Sequence, residues 1–223
     1  MRQIRPDGNE RIFSLTLNNF ACYYKKVLKP RVALKYLNMA LKLEKVSGVS
    51  GPELSATYLN LCAIYSELRL YGEAINKAIK SVVVLKSYLK HLNSPDEPVK
   101  NNDLSQVINA NKSALKQSFN NTEAKHDALR SGATSGLLSA ADPMSRGATS
   151  PPVLPQTLTQ EDKLTIMGTY TAAYFNLGVS FEHLKQYKLA QQAYERGMLI
   201  CAEHMPKNKQ LIHSFQEAIH IAN

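Results

Sequence analysis

Few residues of this chain are spaced for chemistry. Cys201 and His204 stand three apart, which puts a thiol and an imidazole on one face of a helix. Such a pair offers zinc two ligands where a structural site takes four. The other thiols, Cys22 and Cys62, fall in distant segments, so packing is the reading for all three. His213 and His220 recur at seven and share a helix side, which reads as a surface placement. The chain contains no G-x-x-x-x-G-K-[ST], H-E-x-x-H, G-x-S-x-G or C-x-x-C, the patterns that would bring phosphate, zinc, a nucleophilic serine or a redox pair. The sequence therefore reads as non-enzymatic, with no cofactor and no metal. Eleven Tyr residues accompany a basic excess. They sit mostly within helical patterns and not on one basic element, which argues for core and against a nucleic-acid stacking platform.

The elements that would position any site are paired helices. Leu17, Phe20, Ala21 and Tyr24 form an apolar stripe at helical spacing, and Val32, Ala33, Leu37, Ala40 and Leu41 form a second. Pro30 stands where the second helix begins, a place that suits its fixed φ and missing N–H. The pattern apolar-x-x-apolar-small-x-x-aromatic, followed by Ala-x-x-x-apolar, returns twice. It reads Tyr58, Leu61, Cys62, Tyr65 with Ala74 and Ala78, and then Tyr174, Leu177, Gly178, Phe181 with Ala190 and Tyr194. A unit this short cannot bury its own apolar face, so like units must stack.

This triple match resembles the tetratricopeptide repeat (TPR), a helix–turn–helix unit of about 34 residues. There are departures. The chain has no Trp, and no Pro closes the units after Leu43, Leu85 or Cys201. The first two units are also set wider, from Leu17 to Tyr58. Long helices and the segment Leu15–Asn19 (LTLNN) resemble the light chain of kinesin. The expected fold is all-α: an α-solenoid of three TPR helix–turn–helix units with a C-terminal capping helix and a disordered insertion.

The resemblance implies a binding role. In TPR proteins the first helices line a concave groove that holds a peptide or helix of a partner protein. Asn19, Asn60 and Asn176 recur at one place on those helices. An Asn amide both donates and accepts, so a ladder of them can hold an extended backbone. Lys25, Lys26, Lys77 and Lys80 are candidate electrostatic aids. The subclass that clamps the C-terminal carboxylate of heat-shock chaperones uses Lys and Asn on the first repeat, Asn on the second, and Lys and Arg on the third. Asn60 matches the middle place, but Asn18, Cys22, Ala172 and Asn176 stand at the others. The charge-assisted bonds of that site are missing, which argues against a heat-shock partner. The alternative to a scaffold is a structural or adaptor subunit of a cytoskeletal or motor-linked assembly.

Composition bounds these readings. The 223 residues carry a formal charge of +9, with 44% hydrophobic residues. Residues 1–100 hold 16 Lys/Arg against 8 Asp/Glu, and residues 101–168 hold 6 against 6. The basic excess lies on the first two units, as solvated outer faces or as a surface for an acidic partner. Three Cys make no disulfide framework, which suits a reduced, cytoplasmic setting. The segment Met1–Arg11 lacks the apolar core of a signal peptide. The longest aliphatic run, Val82–Leu85, is too short to span a bilayer.

Along the chain, Asp7 with Glu10 suggests a cap for a first helix over Gly8–Lys26, and a second runs to Val46. Ser50 with Glu53 reads as a capping box for a third helix to Leu68. Tyr71 and Gly72 read as a turn before a fourth helix over Glu73–His91. Residues 1–93 thus form units one and two. Residues 94–158 are rich in Ser, Asn, Ala, Thr and Gly, and include the related pieces RSGATS and RGATSPP. Such sequence cannot bury enough apolar area to offset backbone ordering and reads as a disordered insertion, with spacing for a local helix over 104–119. Ser94-Pro95 and Ser150-Pro151 could accept phosphate. Residues 159–223 form unit three and the cap: a helix opened by Thr159 and Asp162, a turn at Gln186 and Tyr187, a partner helix to His204, and a last helix over Lys207–Ile221.

Overall fold

The computed structural model describes residues 9–49, 51–93 and 159–222. These form seven helices: α1 (Asn9–Lys26), α2 (Pro30–Val46), α3 (Pro52–Glu67), α4 (Tyr71–Asn93), α5 (Gln160–His183), α6 (Tyr187–His204) and α7 (Lys209–Ala222). No strand occurs among the described residues. The helices pack as three antiparallel pairs, α1 with α2, α3 with α4 and α5 with α6, and α7 closes the far end against α6. The expected insertion over 94–158, its local helix, the two Ser-Pro sites and the Asp7 cap lie outside the described residues.

Local chemistry sets the helix ends. Pro30 and Pro52 occupy the first positions of α2 and α3, where a missing N–H costs nothing. Thr159 and Asp162 form a reciprocal capping box on α5, and the Leu211 N–H donates to Asn208 Oδ1 at 3.1 Å at the start of α7. The capping box expected at Ser50 and Glu53 involves a residue, Ser50, that lies outside the described residues. Gly51 is the N-cap of α3, with φ 74°, and no side chain caps it. Glu53 instead pairs with Arg11 of α1.

The three intrapair turns share one design. Leu28, Arg69 and Lys185 each adopt positive φ, between 57° and 60°. The next N–H, of Lys29, Leu70 or Gln186, donates back to the carbonyl of Tyr24, Tyr65 or Phe181 at 2.9 Å. This is the Schellman ending, which satisfies orphan carbonyls with one left-handed residue. It also corrects two expected turns. Tyr71 and Tyr187 are the first residues of α4 and α6, because the left-handed residue two places earlier has already reversed the chain.

The small residues of the repeated pattern lie where helices touch. Ala21 is 1% exposed, Cys62 is 0% exposed and Gly178 is buried. A Cβ on Gly178 would collide with the Tyr194 ring, so this position of the third pair requires the smallest residue. One core joins α1 and α2 to α3 through Ala33, Leu37, Tyr58, Leu61 and Ile64. A second runs from Cys62, Ala74 and Val82 through Tyr174, Leu177 and Tyr194 to Phe215. The third pair therefore stacks directly on the second, although 65 residues separate them in the sequence. The rings of Tyr71 (α4) and His183 (α5) stack at 4.2 Å across that step.

Phe20 departs from the buried face expected of it. It is 48% exposed and its ring stacks on Tyr36 at 5.6 Å. Leu61 and Leu177 hold the same repeat position and are buried, because a preceding pair covers them and, among the described residues, none covers α1. Ile12, Phe13 and Tyr23 of α1 and Met39 of α2 are also exposed.

Candidate functional site

A cavity of about 340 Å³ opens between α1 and α3. Its rim carries Arg11, Asn19, Glu53 and Asn60. Ser14, Glu44 and Thr57 also line it and are buried, so they form its floor. Three helices supply that floor. Ser14 comes from α1, Glu44 from α2 and Thr57 from α3, so the cavity lies where the first pair meets the second.

Glu44 organises the floor. It is 2% exposed, although it continues the stripe Ala33, Leu37, Ala40 and Leu41 that α2 turns inward. Its Oε1 accepts from the Ser14 hydroxyl at 2.6 Å, the Thr57 hydroxyl at 2.7 Å and the Asn18 amide at 3.4 Å. Asn18 also donates to Thr57 Oγ1 at 2.9 Å and accepts from the Asn60 amide at 3.3 Å. Glu44 Oε2 is buried without a hydrogen-bond partner among the described residues. Burial raises the Glu44 pKa above its ordinary value. The hydrogen bonds from Ser14, Thr57 and Asn18 oppose the rise, and Glu53 adds to it.

The sequence candidates divide around this cavity. Asn19 and Asn60 both line it. Asn176 is half-buried on α5 and is not among the lining residues. The cavity belongs to the α1–α3 step, and α5 faces the next step along. Lys25 points instead at Glu67, at 3.5 Å. Lys77 lies over the Tyr65 ring, with Nζ 5.6 Å from its centroid. Burial lowers its pKa, the charges of Lys80 and Lys45 lower it further, and Glu73 opposes them. Lys26 and Lys80 are exposed. None of these four lysines lines the cavity.

The polar floor was not picked out from sequence, although it left signals. Glu44 is a charge on an otherwise apolar helix stripe. Ser14, Ser55 and Thr171 recur three residues before Leu17, Tyr58 and Tyr174, and all three are buried. In the second pair that hydroxyl meets a neutral partner, Ser81, at 2.7 Å.

Of the three thiols, Cys22 lines the cavity, while Cys62 and Cys201 do not. Cys62 and Cys201 are buried and Cys22 is exposed. Burial pushes the Cys62 thiol up to about 12, against hydrogen bonds with Ser66 and Ala78, and it pushes Cys201 up as well. His204 is exposed beside Glu203, at 3.8 Å. Among the described residues, no group of three His, Cys, Asp or Glu side chains could hold a metal ion, and no helix is long and apolar enough to cross a membrane. Compared with protein-family models the chain gives no match, and compared with curated proteins it gives none.

Proposed function

We propose that this chain is a non-enzymatic TPR-type scaffold that binds a peptide or helix of a partner protein along its first helices. The observation that carries the reading is the α1–α3 cavity, where two of the three recurring Asn side chains stand beside a set of inward-committed donors. A preformed recess with a few convergent polar groups is the usual form of a recognition site. The stacking of like helix pairs supports the repeat resemblance, and a cytoplasmic location goes with that resemblance. Proximity labelling with the wild-type chain, set beside a variant carrying Asn19→Ala, Asn60→Ala and Asn176→Ala, tests it. A protein labelled by the wild type and lost from the variant supports the groove. Labelling that the three substitutions leave unchanged counts against it.

A second reading, a structural or adaptor subunit of a larger assembly, draws on the exposed apolar end of the first pair. Phe13, Phe20, Tyr23 and Met39 lie more than 45% exposed there, and apolar patches of this kind often mark interfaces. Size-exclusion of the isolated chain discriminates, since a well-behaved monomer disfavours this reading.

A further inference from the structure

We propose that the α1–α3 cavity takes a cationic side chain, the ammonium of a Lys or the guanidinium of an Arg in the bound segment, with Glu44 as its counter-charge. This rests on the peptide-binding reading above and names what the groove selects.

The floor has spent its donors and kept its acceptors. The hydroxyls of Ser14 and Thr57 both point at Glu44 Oε1. The Asn18 amide is divided among Thr57 Oγ1, Glu44 Oε1 and the Ser14 carbonyl. The Asn60 amide reaches Asn18. What remains is Glu44 Oε2, a buried acceptor that no donor among the described residues satisfies. A carboxylate offers acceptor sites on both oxygens, so the group that completes this site must donate.

Charge points the same way. Arg11, the cation on the rim, is engaged by Glu53, and the lysines of α1 and α4 singled out from sequence stay outside the lining. An anionic group entering here would meet Glu44 and Glu53, with no unengaged cation among the described lining residues. A cationic group would meet one buried carboxylate whose desolvation folding has already imposed, so only the ligand's own desolvation opposes the pair. The overall charge of +9 belongs to the whole sequence and does not describe this recess, whose charged lining residues are Arg11, Glu44 and Glu53.

The test uses the full chain and four blocked pentapeptides, acetyl-Gly-Gly-X-Gly-Gly-amide, with X as lysine, acetyl-lysine, norleucine or glutamate. Binding is read from the side-chain amide resonances of Asn18 and Asn60. The lysine peptide is expected to shift both resonances saturably. It should bind roughly tenfold or more tightly than the norleucine and acetyl-lysine peptides, as a charge-assisted bond to a buried group implies. Glu44→Gln should abolish that preference. If the lysine and norleucine peptides bind alike, or glutamate binds best, the cation inference is overturned while the groove stands. If no peptide perturbs either amide, groove and inference fail together. Should Glu44→Gln fail to fold, the lysine-to-norleucine ratio on the wild-type chain decides alone.

Discussion

The Ser14 hydroxyl donates to Glu44 Oε1 at 2.6 Å, joining α1 to α2 beneath the cavity. Both residues are buried, so the bond is made to a desolvated carboxylate and not to a group that water could serve. Ser14→Ala should cost about 1–3 kcal/mol, the range for leaving a buried charged acceptor short of a donor. Ser55→Ala, which breaks the hydroxyl pair with Ser81, should cost less, about 0.5–1.5 kcal/mol. Urea unfolding at neutral pH compares the two, and an equal loss would contradict the role given to Glu44.

Glu44 also gives stability a pH dependence of a particular sign. Its folded pKa lies above the ordinary 4.5, so the native state holds this proton at a pH where the unfolded chain has released it. Stability from this group is therefore greatest below the unfolded pKa and is lost as pH rises through the folded one. The difference in urea midpoint between wild type and Glu44→Gln should change with pH only above about 4.5, with the wild type losing ground as pH rises. A difference that stays flat from pH 4 to 8 would remove the raised pKa from the account.

Two glycines of α5 should respond in opposite directions to the same substitution. Gly178 faces the Tyr194 ring too closely for a Cβ, so Gly178→Ala should destabilise by about 1–3 kcal/mol through overpacking. Gly168 has nothing within 4 Å of an added Cβ, so Gly168→Ala should stabilise by about 0.5–1 kcal/mol through helix propensity. Thermal melts of the pair give the sign directly.

The left-handed turns offer a gain. Arg69 sits at φ 60° and Lys185 at φ 58°, where an L side chain costs roughly 1–2 kcal/mol. Arg69→Gly and Lys185→Gly should each raise the melting temperature, with the greater backbone freedom of unfolded glycine offsetting part of the relief. A fall in both would mean that those side chains hold the turns in some other way.

Phe215 anchors the terminal helix. It is 0% exposed and meets Phe175 edge-on at 5.2 Å. A Cβ on Gly197 would come within 2.6 Å of its ring. Phe215→Ala should cost about 3–5 kcal/mol, and amide exchange in α7 should rise first, because α6 is the main helix it leans on.

By itself the sequence determined the pairing rule. Helical spacing and one small residue per unit name the faces that must be buried, because an α-helix presents every third or fourth residue on one side. Ala21, Cys62 and Gly178 are at helix contacts for that reason. Likewise, Leu211, Ile212, Phe215, Ala218 and Ile219 could be assigned to the inward face of the last helix. Periodicity does not say what lies opposite a face. Only the tertiary structure decided that α5 packs on α4 despite the residues between them. Only it left Phe20 uncovered where Leu61 and Leu177 are buried, and it alone placed Asn60 beside Asn18 while leaving Asn176 at another step. Glu44 shows the reason most plainly. A carboxylate on an apolar stripe is a misfit until two other helices bring a serine, a threonine and an asparagine to it, and that meeting depends on residues far apart in the chain.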